Sequence, residues 1–178
     1  MSRSPQRVPA RVLAVVPIAG MLAAGPGVAQ ELPSRKPGLW EITMQITNAP
    51  SQLVRQCIDP STDQALQRFG QGLDLKTCVR NVWRRDGNRY LGESECRLGR
   101  SLVTTRAVFG GDFGAAYRGE IDARYTPPVG GVSASKVTIS ARWRSACPAG
   151  WKPGDIELPG MGRMNVKELM AARAARAQ

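Results

Sequence analysis

The sequence predicts a mainly β protein: a single curved, half-barrel-like antiparallel sheet of about six or seven strands, with one short helix and a C-terminal helix. Three observations predict it. Apolar residues recur with a period of two in segment after segment, the signature of strands that bury one face. Glycine and proline clusters punctuate those segments. Helical spacing appears only twice, each time briefly.

The first residues read as a leader rather than as part of the fold. Arg3, Arg7 and Arg11 form a positive start, Val12 to Ala24 is apolar, and Gly27-Val28-Ala29 supplies small residues for cleavage. That is the pattern of a secretory signal peptide over residues 1–29, processed after Ala29. The apolar stretch is too short to span a bilayer, and no later segment is apolar enough. No cysteine sits at the cleavage point, so no lipid anchor is expected there. The expected location is periplasmic or secreted, where cysteines meet oxidising conditions. The remaining chain is about 149 residues, enough for one domain with a core of its own. Its expected division is a disulfide-stapled β domain over 30–147, then a Pro/Gly-rich arm and terminal helix over 148–178.

Gly38 to Thr47 alternates cleanly, with Trp40, Ile42, Met44 and Ile46 on one face. Leu53 to Ile58 is a second short strand. The period then changes: Asp59 can cap, Pro60 suits a first helical position, and Ala65, Leu66 and Phe69 recur at helical spacing before Gly70. Cys78 to Arg85 and Asn88 to Arg97 flank Asp86-Gly87, a strong hairpin signal. A two-residue loop there places Trp83 opposite Tyr90 and Arg80 opposite Glu93. Ser101 to Phe109, Ala116 to Thr126 and Lys136 to Ala146 complete the strands. Gly110-Gly111 and Pro127-Pro128-Val129-Gly130-Gly131 read as turns. Tyr117, Gly119, Ile121, Ala123 and Tyr125 share one face, as do Val137, Ile139, Ala141 and Trp143. Pro148 to Gly162 reads as a loop or extended arm, and Asn165-Val166-Lys167-Glu168 as a capping box opening the last helix.

Cys57, Cys78, Cys96 and Cys147 allow three pairings. In the expected hairpin register Cys96 lies opposite Thr77, so Cys78 projects from the other face; a bulge or a longer loop would remove that obstacle. The expected bridges are Cys57–Cys78, closing the helical insertion, and Cys96–Cys147. They are structural: the chain has no Cys-x-x-Cys, and no histidine to complete a metal-ligand set.

Residues Pro37-Gly38-Leu39-Trp40-Glu41, then Cys57-Ile58-Asp59 before a helix, Cys78 after a loop, Cys96 late in a strand and Cys147 closing the last strand form an order that resembles an exported family. That family is catalogued as "domain of unknown function 3617". The resemblance covers about Lys36 to Cys147. It implies an exported, mostly antiparallel β domain with structural disulfides, and supplies no catalytic or binding residues.

No motif names a reaction. The absence of histidine removes the commonest general base and the commonest metal ligand. Carboxylates are the only plausible catalytic inventory: Glu93 with Glu95, and Glu120 with Asp122, each pair about 6–7 Å apart along a strand. Two carboxyl groups at such separations suit glycoside hydrolysis. Alternating polar faces explain the same pairs without chemistry. Lys36, Lys76, Lys136, Lys152 and Lys167 stand in no recognisable Ser-x-x-Lys setting to activate a hydroxyl. No catalytic residue, metal or cofactor is therefore expected.

The chain carries 25 basic and 14 acidic residues. Without the three leader arginines the balance is 22 against 14, or about +8. That field favours anionic partners, and export argues against nucleic acid. Trp40, Trp83 and Trp143 fall on apolar strand faces; Trp151 lies outside the pattern and could cover a cavity mouth. The leading expectation is a non-catalytic exported binding module for an apolar or amphiphilic envelope component. The alternatives are a partner-binding protein acting through its basic surface and C-terminal tail, and a carboxylate-dependent hydrolase.

Overall fold

A computed structural model describes residues 32–70 and 77–176. The expected leader, residues 1–29, lies outside them. The described chain forms one open antiparallel sheet in the order β3-β4-β5-β6-β7-β1-β2-β8-β9. Its strands are β1 (Gly38–Ile46), β2 (Gln52–Ile58), β3 (Cys78–Asp86), β4 (Arg89–Leu98), β5 (Ser101–Asp112), β6 (Ala116–Val129), β7 (Val132–Ser145), β8 (Asp155–Leu158) and β9 (Gly162–Asn165). Two helices, α1 (Asp63–Gly70) and α2 (Val166–Arg176), complete it. From β3 to β7 the chain is a meander of hairpins; β7 then pairs with β1, and β2 carries β8 on its far side.

The sheet has nine strands where six or seven were expected. The difference is β8 and β9, which lie in the segment read as an arm. Each is four residues long and bounded by proline and glycine, too short for a period of two to register. They join the sheet through Arg55↔Glu157 and Gln56↔Ile156. The Gly154 amide donates to the Cys57 carbonyl at 2.8 Å, fixing the approach.

The core follows the alternation. Trp40, Ile42, Val54, Ile58, Phe109, Tyr117 and Ala141 are buried from one sheet face, with Leu66 of α1 and Val166 of α2 packed into the same cluster. Asp59 builds the entry to α1: its carboxylate accepts from the Ser61 amide and the Thr62 hydroxyl at 3.0 and 2.7 Å. Residues 60–62 are consequently a turn and the helix starts at Asp63, three residues later than Pro60 predicted. Asn165 caps α2, its side-chain oxygen accepting from the Lys167 amide at 3.0 Å.

Two turns differ from expectation. The β3–β4 loop is Gly87-Asn88, not Asp86-Gly87, so Arg85 faces Tyr90 and Trp83 faces Gly92. Gly87 takes φ +61° at the first loop position, where a two-residue II′ loop requires glycine. Gly110-Gly111 is not a turn; both residues continue β5 opposite Arg118 and Tyr117. Gly130-Gly131 does form a two-residue turn, and β6 and β7 run on to meet it.

The disulfides are Cys57–Cys147 and Cys78–Cys96, which overturns the expected pairing. Val79 is an extra residue in β3: the register shifts between Cys78 and Arg80, and Cys78 then stands opposite Cys96. That bulge is the exception that would undo the facing argument, and it is present. Cys57 is thereby left for Cys147, which ties β2 to the chain just beyond β7.

Candidate functional site

The buried sheet face holds two adjoining cavities. The larger, about 320 Å³, is lined from β3, β4, β5, β6, β7 and β1, with Trp83, Ala107, Ile121, Ala123, Val137 and Ile139 forming its apolar wall. Tyr125, Ser135 and Ser94 stand at a polar end, the first two joined by a 3.0 Å hydrogen bond. The smaller, about 80 Å³, lies under Leu66 and Gln67 of α1 and beside Arg35, Gln56 and Tyr117. Met44, Phe109, Ile121 and Ile139 line both.

Strand register explains this division. Phe109, Gly119, Ile139 and Met44 are successive partners across β5, β6, β7 and β1, so one cross-strand row forms the border shared by the two cavities. The next row runs Trp83, Gly92, Ala107, Ile121 and Val137. Its small members leave open space. Trp83 lies over Gly92, where a Cβ would stand 2.7 Å from the indole, and Phe109 lies against Gly119. An aromatic ring thus covers each glycine, and the remaining room falls beyond Ala107 and Ala123.

The smaller cavity abuts a buried ionic network. Arg35 and Asp63 side chains are each 2 % exposed. The Arg35 amide and Nε both donate to the Asp63 carboxylate at 2.7 Å. Nη1 donates to Gln56 Oε1 at 3.0 Å and to the Tyr117 hydroxyl at 3.4 Å. Gln67 Nε2 donates to Asp63 at 3.1 Å and to the Pro33 carbonyl at 3.2 Å. Arg35 Nη2 is buried without a hydrogen-bond partner among the described residues. Burial pushes the Tyr117 phenol above its ordinary value of 10.0, with the Arg35 charge opposing. Sequence reasoning missed this network. Arg35 stands in a short Pro-Ser-Arg-Lys-Pro run with no period of its own, and Asp63 looked like an ordinary first-turn helix acid.

The expected carboxylate pairs lie on the opposite, more exposed face, with Glu93 also bordering the larger cavity. Glu93, Arg106, Asp122 and Lys136 are successive partners across β4 to β7, charges alternating in sign. Glu93 pairs with Arg80 at 2.9 Å, now diagonally, since Arg80 faces Glu95. Glu120 pairs with Lys136 at 2.7 Å and holds the lysine pKa up. Among the described residues no group of three or more His, Cys, Asp or Glu side chains is placed to hold a metal. Lys76 lies outside the described residues.

The tryptophans divide. Trp40 is fully buried and donates to the Lys36 carbonyl at 2.8 Å. Trp83 lines the larger cavity. Trp143 donates to the Pro37 carbonyl at 2.9 Å, with the Lys36 ammonium 3.6 Å from its ring centroid. Trp151 lines neither of the two cavities and lies against Arg163.

A family model described as "Protein of unknown function (DUF3617)" matches residues 35–147. The chain belongs to that family. The DUF3617 region begins at Arg35 itself and ends at the Cys147 bridge, so it contains the whole of the larger cavity and the Arg35–Asp63 pair. No curated protein and no solved structure matches the chain. No helix among the described residues is long and apolar enough to cross a membrane.

Proposed function

We propose that this DUF3617 protein is an exported, non-catalytic binding module that holds an apolar or amphiphilic component of the cell envelope against its inner sheet face. The observation that carries the reading is the apolar-lined cavity of about 320 Å³, which falls in the size range of small-molecule sites. The sheet is read as curled into a half-barrel around it. Four strand-to-strand steps separate β5 from β2, roughly 19 Å in a flat sheet. Yet Phe109 of β5 and Val54 of β2 line one cavity of about 80 Å³.

Export to the periplasm or exterior is supported by the leader-like residues 1–29 and by two disulfides, which persist in oxidising compartments. Glu93 and Asp122 belong to the alternating charge ladder, Glu120 is paired with Lys136, and Glu95 stands opposite Arg80, so hydrolysis is not needed to explain them.

The test is titration of the uncharged probe N-phenyl-1-naphthylamine into the oxidised protein, together with native mass spectrometry of protein from its own host. Saturable fluorescence enhancement, lost in Ala123→Trp, is expected, as is an extra mass that leaves on denaturation. A flat titration with a bare chain mass would remove the binding reading.

A further inference from the structure

The buried Arg35 side chain has a donor that the fold leaves unmet. Asp63 balances the guanidinium charge, and Gln56 and Tyr117 take Nη1, but Nη2 has no acceptor among the described residues. The Trp40 ring, with its centroid 5.9 Å from Arg35 Cζ, sits at the outer limit of a cation–π contact and accepts no conventional hydrogen bond. Buried unmet donors are costly, and their presence beside a cavity asks what would meet them. Tyr117 adds a second donor. Its hydroxyl accepts from Nη1, which leaves its own proton to donate.

We propose that the smaller cavity is the head-group end of the binding site, and that Arg35 and Tyr117 there receive the carbonyl oxygen of an acyl group. This rests on the binding reading above. The rest of the ligand is a single apolar chain lying past Phe109, Ile121 and Ile139 into the larger cavity, because these residues line both spaces. Since Asp63 already neutralises Arg35, the head need not be anionic. It must carry an acceptor and no positive charge. Free fatty acids and neutral monoacyl esters share that chemistry. A cationic amphiphile of equal chain length does not: it offers no acceptor and meets a guanidinium.

The experiment displaces N-phenyl-1-naphthylamine from the oxidised full chain with dodecanoate, monododecanoylglycerol or dodecyltrimethylammonium. High salt screens the net positive charge of the chain. Both acyl ligands are expected to displace the probe at concentrations about tenfold or more below the cationic one, the scale of one or two hydrogen bonds to a charged donor. Displacement by dodecanoate alone would restrict the head to a free carboxylate, and by the ester alone to a neutral acyl group; either supports the proposal. The preference should collapse in Tyr117→Phe, which keeps the ring and removes the donor. It should also collapse in Arg35→Met/Asp63→Asn, which removes both buried charges together; if that variant does not fold, Tyr117→Phe decides. Probe binding with equal displacement by all three ligands, or a preference that survives Tyr117→Phe, would overturn the head-group assignment and leave the cavity reading standing. No probe binding at all would overturn both.

Discussion

The two disulfides close loops of very different length, and their removal should therefore cost different amounts. Cys57–Cys147 spans 90 residues of sequence and Cys78–Cys96 spans 18. Loop-closure entropy in the unfolded chain gives about 4.5 kcal/mol for the long bridge and about 3 kcal/mol for the short one. Packing does not confuse the comparison. Each bridge joins one fully buried cysteine, Cys57 or Cys96, to one half-buried partner. Alanine at both ends thus removes similar buried sulfur in either case, and the difference of about 1.5 kcal/mol isolates the loop. The assay is urea unfolding of Cys57→Ala/Cys147→Ala and Cys78→Ala/Cys96→Ala beside the oxidised parent, followed by tryptophan fluorescence. The long-bridge variant should unfold at the lower midpoint. Equal losses, or a greater loss for the short bridge, would refute the loop-length argument and mean that the bulge at Val79 depends on its bridge for more than chain entropy.

Arg35→Met alone strands the Asp63 carboxylate in the core and should cost about 3–5 kcal/mol in urea unfolding; Asp63→Asn added to it should restore most of that. Tyr117 should ionise above the ordinary phenol value in an alkaline ultraviolet titration, a component absent from Tyr117→Phe. Its raised folded-state pKa means the native chain holds the phenol proton longer than the unfolded one. That stabilisation is complete below about pH 10 and falls as pH rises further, more weakly in Tyr117→Phe. Gly119→Ala drives a methyl group into the Phe109 ring and should destabilise by about 1–3 kcal/mol, while altering probe binding because Phe109 lines both cavities.

Most strands were legible because each exposes one face and buries the other; β3, exposed along most of its length, was legible through the turn signal that follows it. The inner rows Trp40, Ile42, Met44 and Tyr117, Ile121, Tyr125 appear in the structure as the alternation implies. What failed depends on single residues. Moving the hairpin loop from Asp86-Gly87 to Gly87-Asn88 shifts partners by two positions, which preserves the faces and so leaves no trace in the hydrophobic pattern. Val79, 74 % exposed, marks the bulge only after its partners are known, and with it went the cysteine pairing. The larger cavity was anticipated in kind through its aromatic face. The Arg35–Asp63 network was not, because it joins an irregular segment to a helix across 28 residues by two side chains whose pattern in sequence is that of ordinary surface charges.

The family match ends at Cys147, but the sheet does not. Without the residues beyond, β2 would be the rim of the sheet, a seven-residue strand carrying Leu53 and Val54, with free amides and carbonyls on one side. Such a rim is a template for another chain. The β8–β9 hairpin moves the rim to Gly162–Asn165, four residues with a glycine at the start and an arginine next to it. Covering β2 in this way should oppose self-association. A chain cut after Cys147 retains all four cysteines and every residue that lines the larger cavity, but loses that cover together with the core residues Ile156 and Val166, and it should be less stable and should aggregate through β2 at high concentration.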